Sequence, residues 1–367
     1  MNKARDIVLA IIFTAFIFSM LLMFVLLPKS EVSYNEKRNL QKQPVLSFDG
    51  VFDGSFESDT DKYLTDHFPF RDTFVAISSY FDLYTGRNGV NGVYKGKDGY
   101  LINTPVEDKY FTANIMAIED FAKQTRADTV LMIVPTAGSI LEDKLPKNHM
   151  EYPDNSLIDK AYSKAQEYGI KTVDIRDKFK GETEQVYYKT DHHWTSYGAY
   201  TAYKELVQNP YQIADFDVKS YGGFYGTTYS KSALWHEKSD NIEIFDYPKN
   251  ADVKICDGTD EKNCSDIFFF EHLKSLDKYP VFLDGNHAYT RIVNNDVENG
   301  KILIVKDSYA NSLAPFLIRH YNTVDMVDLR YYTDIVSELY KKENYDKILF
   351  IYGLSTVAET TDINMLY

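Results

Sequence analysis

Residues 301–321 read KILIVKDSYANSLAPFLIRHY. The KILIVK run has the composition of a buried strand, Asp307-Ser308-Tyr309 that of a tight turn, and the remainder that of a helix. Working outward, the plan recurs. ANIMAIEDFAKQT (113–125) reads as an amphipathic helix and TVLMIVP (129–135) as a buried strand ended by proline. A helix over 157–168 precedes KTVDI (171–175), QVYYKT (185–190) reads as another strand, and KILFIYG (347–353) as a last one. Strands alternating with helices predict an α/β fold, a parallel sheet with crossover helices on both faces. Ligands in such sheets bind beyond the carboxyl ends of the strands.

Two of those ends carry polar residues suited to chemistry. One is Asp307-Ser308-Tyr309; the other is Asp191-His192-His193-Trp194, inside YKTDHHWTSYGAY (188–200). A serine on a sharp strand-to-helix turn exposes its hydroxyl, and amides at the helix start point toward a developing oxyanion. Ser308 is the nucleophile candidate. A histidine held by a carboxylate can take its proton, and the Asp-X-His spacing lets Asp191 orient His193 toward Ser308. His192 then faces away as a support, and Thr195 or Ser196 caps the following helix. The competing structural readings are that Ser308 caps its helix and that the histidines satisfy buried backbone.

The chain has 367 residues, 44% of them hydrophobic, enough for one large domain and a smaller one. Residues 7–27, IVLAIIFTAFIFSMLLMFVLL, carry no charge and at about 1.5 Å per residue span roughly 30 Å of hydrocarbon. Lys3 and Arg5 precede them, so the positive-inside rule leaves the N-terminus in the cytoplasm and the rest outside. Pro28-Lys29 follows instead of a small-residue cleavage site, which favours an uncleaved single-pass anchor in the plasma membrane over a signal peptide. Cys256 and Cys264 flank a polar loop and would close a disulfide in an oxidising compartment, two free thiols being the alternative. A net charge of −14 spread along the chain argues against nucleic acid. The 30 Tyr and 23 Phe residues are a weak pointer to sugars.

The expected organisation is an anchor over 1–28, a stalk and leading subdomain over 29–105, and a catalytic domain over 106–367. The polar segment 29–50, punctuated by Pro44, reads as stalk. Residues 52–79 read as helix, turn at Phe68-Pro69, helix, and GVNGVYKGKDGYLI (89–102) as a hairpin.

The ordered set Glu36-Lys37-Arg38-Asn39-Leu40, Asp66-His67-Phe68-Pro69 with Arg71, GKDGYLI (96–102), TDHHW (190–194), YGTTYSKS (225–232), KDSYANS (306–312) and VDLRYY (327–332) resembles the bacterial DHHW protein family. More distantly it is similar to SGNH-hydrolase-like O-acetyltransferases that decorate alginate. That resemblance implies a circularly permuted, flavodoxin-like SGNH-hydrolase fold with an Asp191-His193-Ser308 triad. It further implies Arg330 as a substrate-holding candidate, a structural salt bridge being the alternative, and Asn286 and the Tyr309 N–H as oxyanion donors. Trp194 and His192 join these as substrate-side candidates. Lys306 stands where the hydrolase block has glycine, and no clear Gly-X-Asn-Asp block is present.

The function so implied is transfer of an acetyl group through Ser308 onto a cell-surface polysaccharide, beside an MBOAT-type membrane acyltransferase that exports the acyl group. No cofactor or metal is called for. A carbohydrate acetylesterase using the same triad and a non-catalytic scaffold of a polysaccharide export complex are the alternatives. A DHH-type metal phosphoesterase shares the letters but lacks the further Asp-rich metal motifs.

Overall fold

The computed structural model describes residues 3–257, 260–264 and 266–366. The charge-free stretch forms helix α1 (Lys3–Leu26), long and apolar enough to cross a membrane, with a mean hydropathy of 2.8 and no buried residue. α2 (Ser55–Asp66) and α3 (Arg71–Tyr84) follow, joined at Phe68-Pro69 as the sequence predicts. The chain divides into two units: residues up to Val90 with Ser230–Trp235, and Asn91–Tyr229 with the residues from His236 onward.

Within the first unit, segment 29–50 is not the open stalk expected of it. Val32–Ser33 pairs with Arg38–Asn39, and Arg38 grips Asp66 through two guanidinium bonds of 2.9 and 2.6 Å. The Gln41 N–H adds a third donor to that carboxylate at 2.9 Å, and Arg71 binds Glu36 at 2.8 Å. Ion pairing has folded what composition alone makes a linker.

The second unit is built on an eight-stranded sheet. Its strands are β1 (Thr129–Val134), β2 (Lys171–Thr172), β3 (Ala251–Asp257), β4 (Asp260–Cys264), β5 (Tyr289–Asn294), β6 (Lys301–Lys306), β7 (Thr323–Val327) and β8 (Lys347–Gly353). They lie in the order β4-β3-β5-β7-β6-β8-β1-β2. The run from β7 to β2 is parallel, and β5, β3 and β4 extend it antiparallel. Read cyclically from β6, the parallel strands follow the 2-1-3-4-5 order whose switch point lies between the first and third strands, here β6 and β8.

Strands β1, β6, β7 and β8 are buried along almost their whole length, as a sheet covered on both faces requires. Alternate residues feed two cores. Ile302 and Ile304 pack toward α6 (Ser196–Leu206) and α7 (Tyr309–Leu317). Leu303 and Val305 pack with α4 (Phe111–Thr125), α5 (Asp154–Glu167), α8 (Val336–Glu343) and α9 (Leu354–Glu359). Each such buried aliphatic side chain contributes about 1.5–3 kcal/mol.

Three expectations are corrected in this unit. QVYYKT (185–190) is no strand of the sheet: the Lys189 and Thr190 amides donate to the Asp240 carboxylate at 2.9 and 2.8 Å, and Tyr187 bridges Trp194. KTVDI pairs only briefly, because Asp174 turns to accept the Arg176 N–H and starts the helix Arg176–Gly181. Cys256 and Cys264 are free thiols. In the β3–β4 hairpin Cys256 lies opposite Glu261, and Cys264 opposite Val253. That offset of three positions puts the two sulfurs on opposite faces of the sheet, where no disulfide can form.

Candidate active site

Strand β6 ends at Lys306, and the chain turns through Asp307 and Ser308 into α7. The turn is held by the Asp307 carboxylate, which accepts the Tyr309 N–H at 3.1 Å, the Gly353 N–H at 2.8 Å and the Thr356 hydroxyl at 2.7 Å. β6 is thereby fastened to the end of β8 at the switch point. A Cβ on Gly353 would lie 2.6 Å from the Tyr309 ring, so glycine is what lets this amide come so close. With Asp307 occupying the helix start, the Ser308 side chain makes no capping bond. The capping alternative therefore falls away, and the hydroxyl is available for another partner.

That partner is His193. Its Nε2 lies 2.6 Å from Ser308 Oγ, and its Nδ1 lies 2.5 Å from Asp191 Oδ1. The ionised carboxylate only accepts, so Nδ1 carries the proton and Nε2 presents its lone pair to the serine hydroxyl; this tautomer follows from the hydrogen-bond network. The pair sits in a tight turn closed by Tyr188 N–H to His193 O at 3.2 Å and Thr195 N–H to Val186 O at 2.9 Å. Thr195 then caps α6, accepting the Gly198 N–H at 3.1 Å.

Asp191 is only 3% exposed. Burial pushes its pKa up, but the adjacent His193 and His192 imidazoles, with hydrogen bonds from His193 and the Thr227 N–H, outweigh that and hold it well below the usual carboxylate range. The Thr227 N–H and hydroxyl donate to Oδ2 at 2.6 and 3.1 Å. Gly226 makes the approach possible, since a Cβ there would lie 2.1 Å from Asp191 Cβ. Asp191, His192 and His193 bring ligand-type atoms within 4.8 Å of one another, a spacing a metal could use. The carboxylate, however, is already filled by donors, and both His193 nitrogens are engaged.

The rings around His193 were not foreseen. Tyr279 stacks on it with centroids 4.0 Å apart and planes at 10°, while His192 lies 3.9 Å from it at 37°. The Tyr279 hydroxyl donates to the Ser308 carbonyl at 3.1 Å. Tyr279 sits in a 3₁₀ turn, Tyr279–Val281, remote in sequence from both motifs. One tyrosine among thirty carries no local signal.

Other candidates fall elsewhere than expected. Trp194 is fully buried, and its Nε1 donates to Tyr309 O at 3.1 Å and Ser312 Oγ at 2.9 Å. It fastens α7 and does not face a substrate. The Tyr309 N–H is spent on Asp307 and is no oxyanion donor; the Tyr309 hydroxyl holds His192 O at 2.6 Å. Among the described residues the Ser308 N–H has no partner. Arg330 binds both oxygens of Asp328, at 2.8 and 2.5 Å, so the salt-bridge alternative describes it. His192 does not face away as expected: its ring packs against that of His193, and its Nδ1 lies 2.6 Å from Thr227 Oγ1. Asn286 Oδ1 accepts from Lys306 Nζ at 3.1 Å and Asn311 Nδ2 at 3.0 Å.

The sequence profile of the DHHW protein family matches residues 90–327. The chain belongs to the DHHW family. A DHHW family protein of Eubacterium siraeum shares its fold, with 21% identity over 75% of this chain and 95% of the other and a TM-score of 0.60. PatB1 of Bacillus cereus, solved with a sulfonyl adduct, is similar at 18% identity over 75% and 98%, with a TM-score of 0.62. In sequence the chain is 30% identical over 187 residues to the alginate biosynthesis protein AlgX of Pseudomonas aeruginosa. That stretch is 49% of this chain and 37% of AlgX, so the match spans little more than a third of that relative. In this DHHW protein the name motif is the turn carrying Asp191 and His193.

Proposed function

We propose that this DHHW protein is an O-acetyltransferase acting on a cell-surface or secreted polysaccharide, with a circularly permuted SGNH-hydrolase-like domain. The observation that carries the reading is the continuous hydrogen-bonded line from Asp191 through His193 to Ser308. The relation to AlgX, whose name places it in alginate biosynthesis, supports the polysaccharide. The sulfonyl adduct on PatB1 fits a fold that presents a reactive nucleophile.

Ser308 Oγ attacks the acetyl carbonyl while its proton passes to His193 Nε2, and Asp191 balances the imidazolium. The tetrahedral oxyanion is met by the Ser308 N–H and the Asn286 side-chain amide. Collapse expels the donor's leaving group, which takes the proton from His193. A sugar hydroxyl then loses its proton to His193, attacks the acetyl-serine carbonyl and leaves as the ester, returning Ser308 to its hydroxyl form. Water in place of the sugar makes the same site an acetylesterase.

α1 serves as an uncleaved anchor that keeps the domain on the outer face of the plasma membrane, beside an MBOAT-type acyltransferase supplying the acyl group. The test is genetic. Deletion should lower the O-acetyl content of a surface glycan, and Ser308→Ala should fail to restore it. Unchanged acetylation of every surface glycan in the deletion would overturn the reading, and full restoration by Ser308→Ala would point to a scaffold.

A further inference from the structure

Lys306 is 3% exposed, at the end of β6 and two residues before Ser308. Its ammonium group has three donors and meets three oxygens: Asn311 Oδ1 at 2.9 Å, Asn286 Oδ1 at 3.1 Å and Asp328 Oδ2 at 3.3 Å. A buried lysine costs several kcal/mol of desolvation unless paired, and Lys306 has only a share of the buried Asp328 carboxylate, which also binds Arg330. An apolar residue would fill a strand end without that cost. The charge therefore calls for a reason other than packing.

The loop that meets Lys306 is itself strained. Leu283, Asp284 and Gly285 take φ values of 58°, 60° and 98°, three successive left-handed residues of which only one is glycine. For the two that are not glycine this costs on the order of 1–3 kcal/mol each, and such residues persist only where their surroundings fix them. Here the Leu283 N–H donates to Ile267 O at 3.0 Å, and the Asp284 carboxylate is held by His272 at 2.5 Å and Lys262 at 2.7 Å. The Gly285 carbonyl accepts Asn311 Nδ2 at 3.0 Å. What this loop delivers is Asn286.

An Asn side chain can sit either way round. Lys306 can only donate, so it fixes the Asn286 oxygen toward itself, and Asn311 Nδ2 donates to the same oxygen. The Asn286 Nδ2 is turned away from both and has no acceptor among the described residues. Asn311 in turn stands one turn into α7, its N–H bonded to the Ser308 carbonyl at 3.2 Å.

We infer that Lys306 is a positioning residue for acetyl transfer: it locks the Asn286 amide with its N–H₂ presented to the oxyanion formed at Ser308, and its charge polarises that amide into a stronger donor. This rests on the reading of Ser308 as nucleophile.

The test is a double-mutant cycle on the full chain in detergent, following turnover of 4-nitrophenyl acetate. Asn286→Ala is expected to lower kcat about 100-fold with KM unchanged, the loss typical of one oxyanion donor. Lys306→Met is expected to cost a similar factor alone and less than about twofold in the Asn286→Ala background, because it acts through that amide. Additive losses, or wild-type kcat in either single variant, would overturn the proposal. Should Lys306→Met not fold, Asn286→Asp serves: it keeps an oxygen for Lys306 but has no N–H, so kcat must fall while the thermal midpoint holds, and an unchanged kcat overturns the proposal. Ser308→Ala run alongside separates the two levels, since activity surviving there removes the nucleophile reading itself.

Discussion

The Tyr279 ring lies flat against the His193 imidazole, 4.0 Å away and 10° from parallel, while its hydroxyl reaches the Ser308 carbonyl. One side chain thus touches both the proposed base and the backbone of the proposed nucleophile. Tyr279→Phe keeps the stack and loses the hydroxyl bond, and about a threefold fall in kcat is expected from one neutral hydrogen bond. Tyr279→Leu removes the flat face that fixes the imidazole, and a fall of about 100-fold is expected. Steady-state kinetics distinguish the two; equal losses would show that the stack has no role.

Asp191→Asn retains shape but can donate to His193 Nδ1, favouring the wrong tautomer. A loss of about 10³–10⁴ in kcat is expected, with the fold intact by circular dichroism. The wild-type carboxylate is held well below 3.8. A depressed folded pKa gives stability that is present above the unfolded value and is lost only as pH falls through the folded one. Acid unfolding linked to Asp191 is therefore expected below about pH 3.8, and Asp191→Asn should flatten that limb of a stability–pH curve. An unaltered limb would argue that the carboxylate is not held this way.

In the leading unit, the Asp66 carboxyl is lowered from 3.8 to about 2, first by its hydrogen bonds from Arg38. Its contribution is present above about pH 3.8 and lost toward pH 2. Arg38 is partly exposed, so solvent screening limits the pair to about 1 kcal/mol. Asp66→Asn should speed amide exchange over residues 32–41 several-fold at neutral pH. Wild-type exchange rates would mean the segment is held by something else.

Both cysteines should alkylate without prior reduction, giving two adducts per chain by intact-mass measurement. Burial raises both thiol pKa values, so the reaction should be slow at neutral pH and quicken as pH rises. A mass two hydrogens lighter, with no adduct before reduction, would restore the disulfide.

Much of this was legible in the chain because it rests on local chemistry. Strand β6 and the turn at Ser308 follow from an apolar run giving way to Asp-Ser, and the Asp-X-His spacing set the partners. QVYYKT reads as a sheet strand, but its Lys189 and Thr190 amides are satisfied by Asp240, 51 residues downstream of Lys189, and no sequence period records that bond. Tyr279 carries no signal in the sequence, and Lys306 stands out there only as a departure from a motif, with no sign of its role. The first gains its role through stacking across the fold, and the second through burial, which composition does not report. The Cys256–Cys264 spacing suggested a loop closure that the strand register forbids.

The central claim is that Ser308 carries the acetyl group. Incubating the full chain with an activated acetyl ester, quenching in acid and mapping peptides by mass spectrometry tests it most directly. An acetyl group on Ser308 that is absent from Ser308→Ala, accumulates when no sugar is present and moves to an added oligosaccharide is the expected result. Acetyl turnover undiminished in Ser308→Ala, or an acetyl group lodged reproducibly on another residue, would contradict the account.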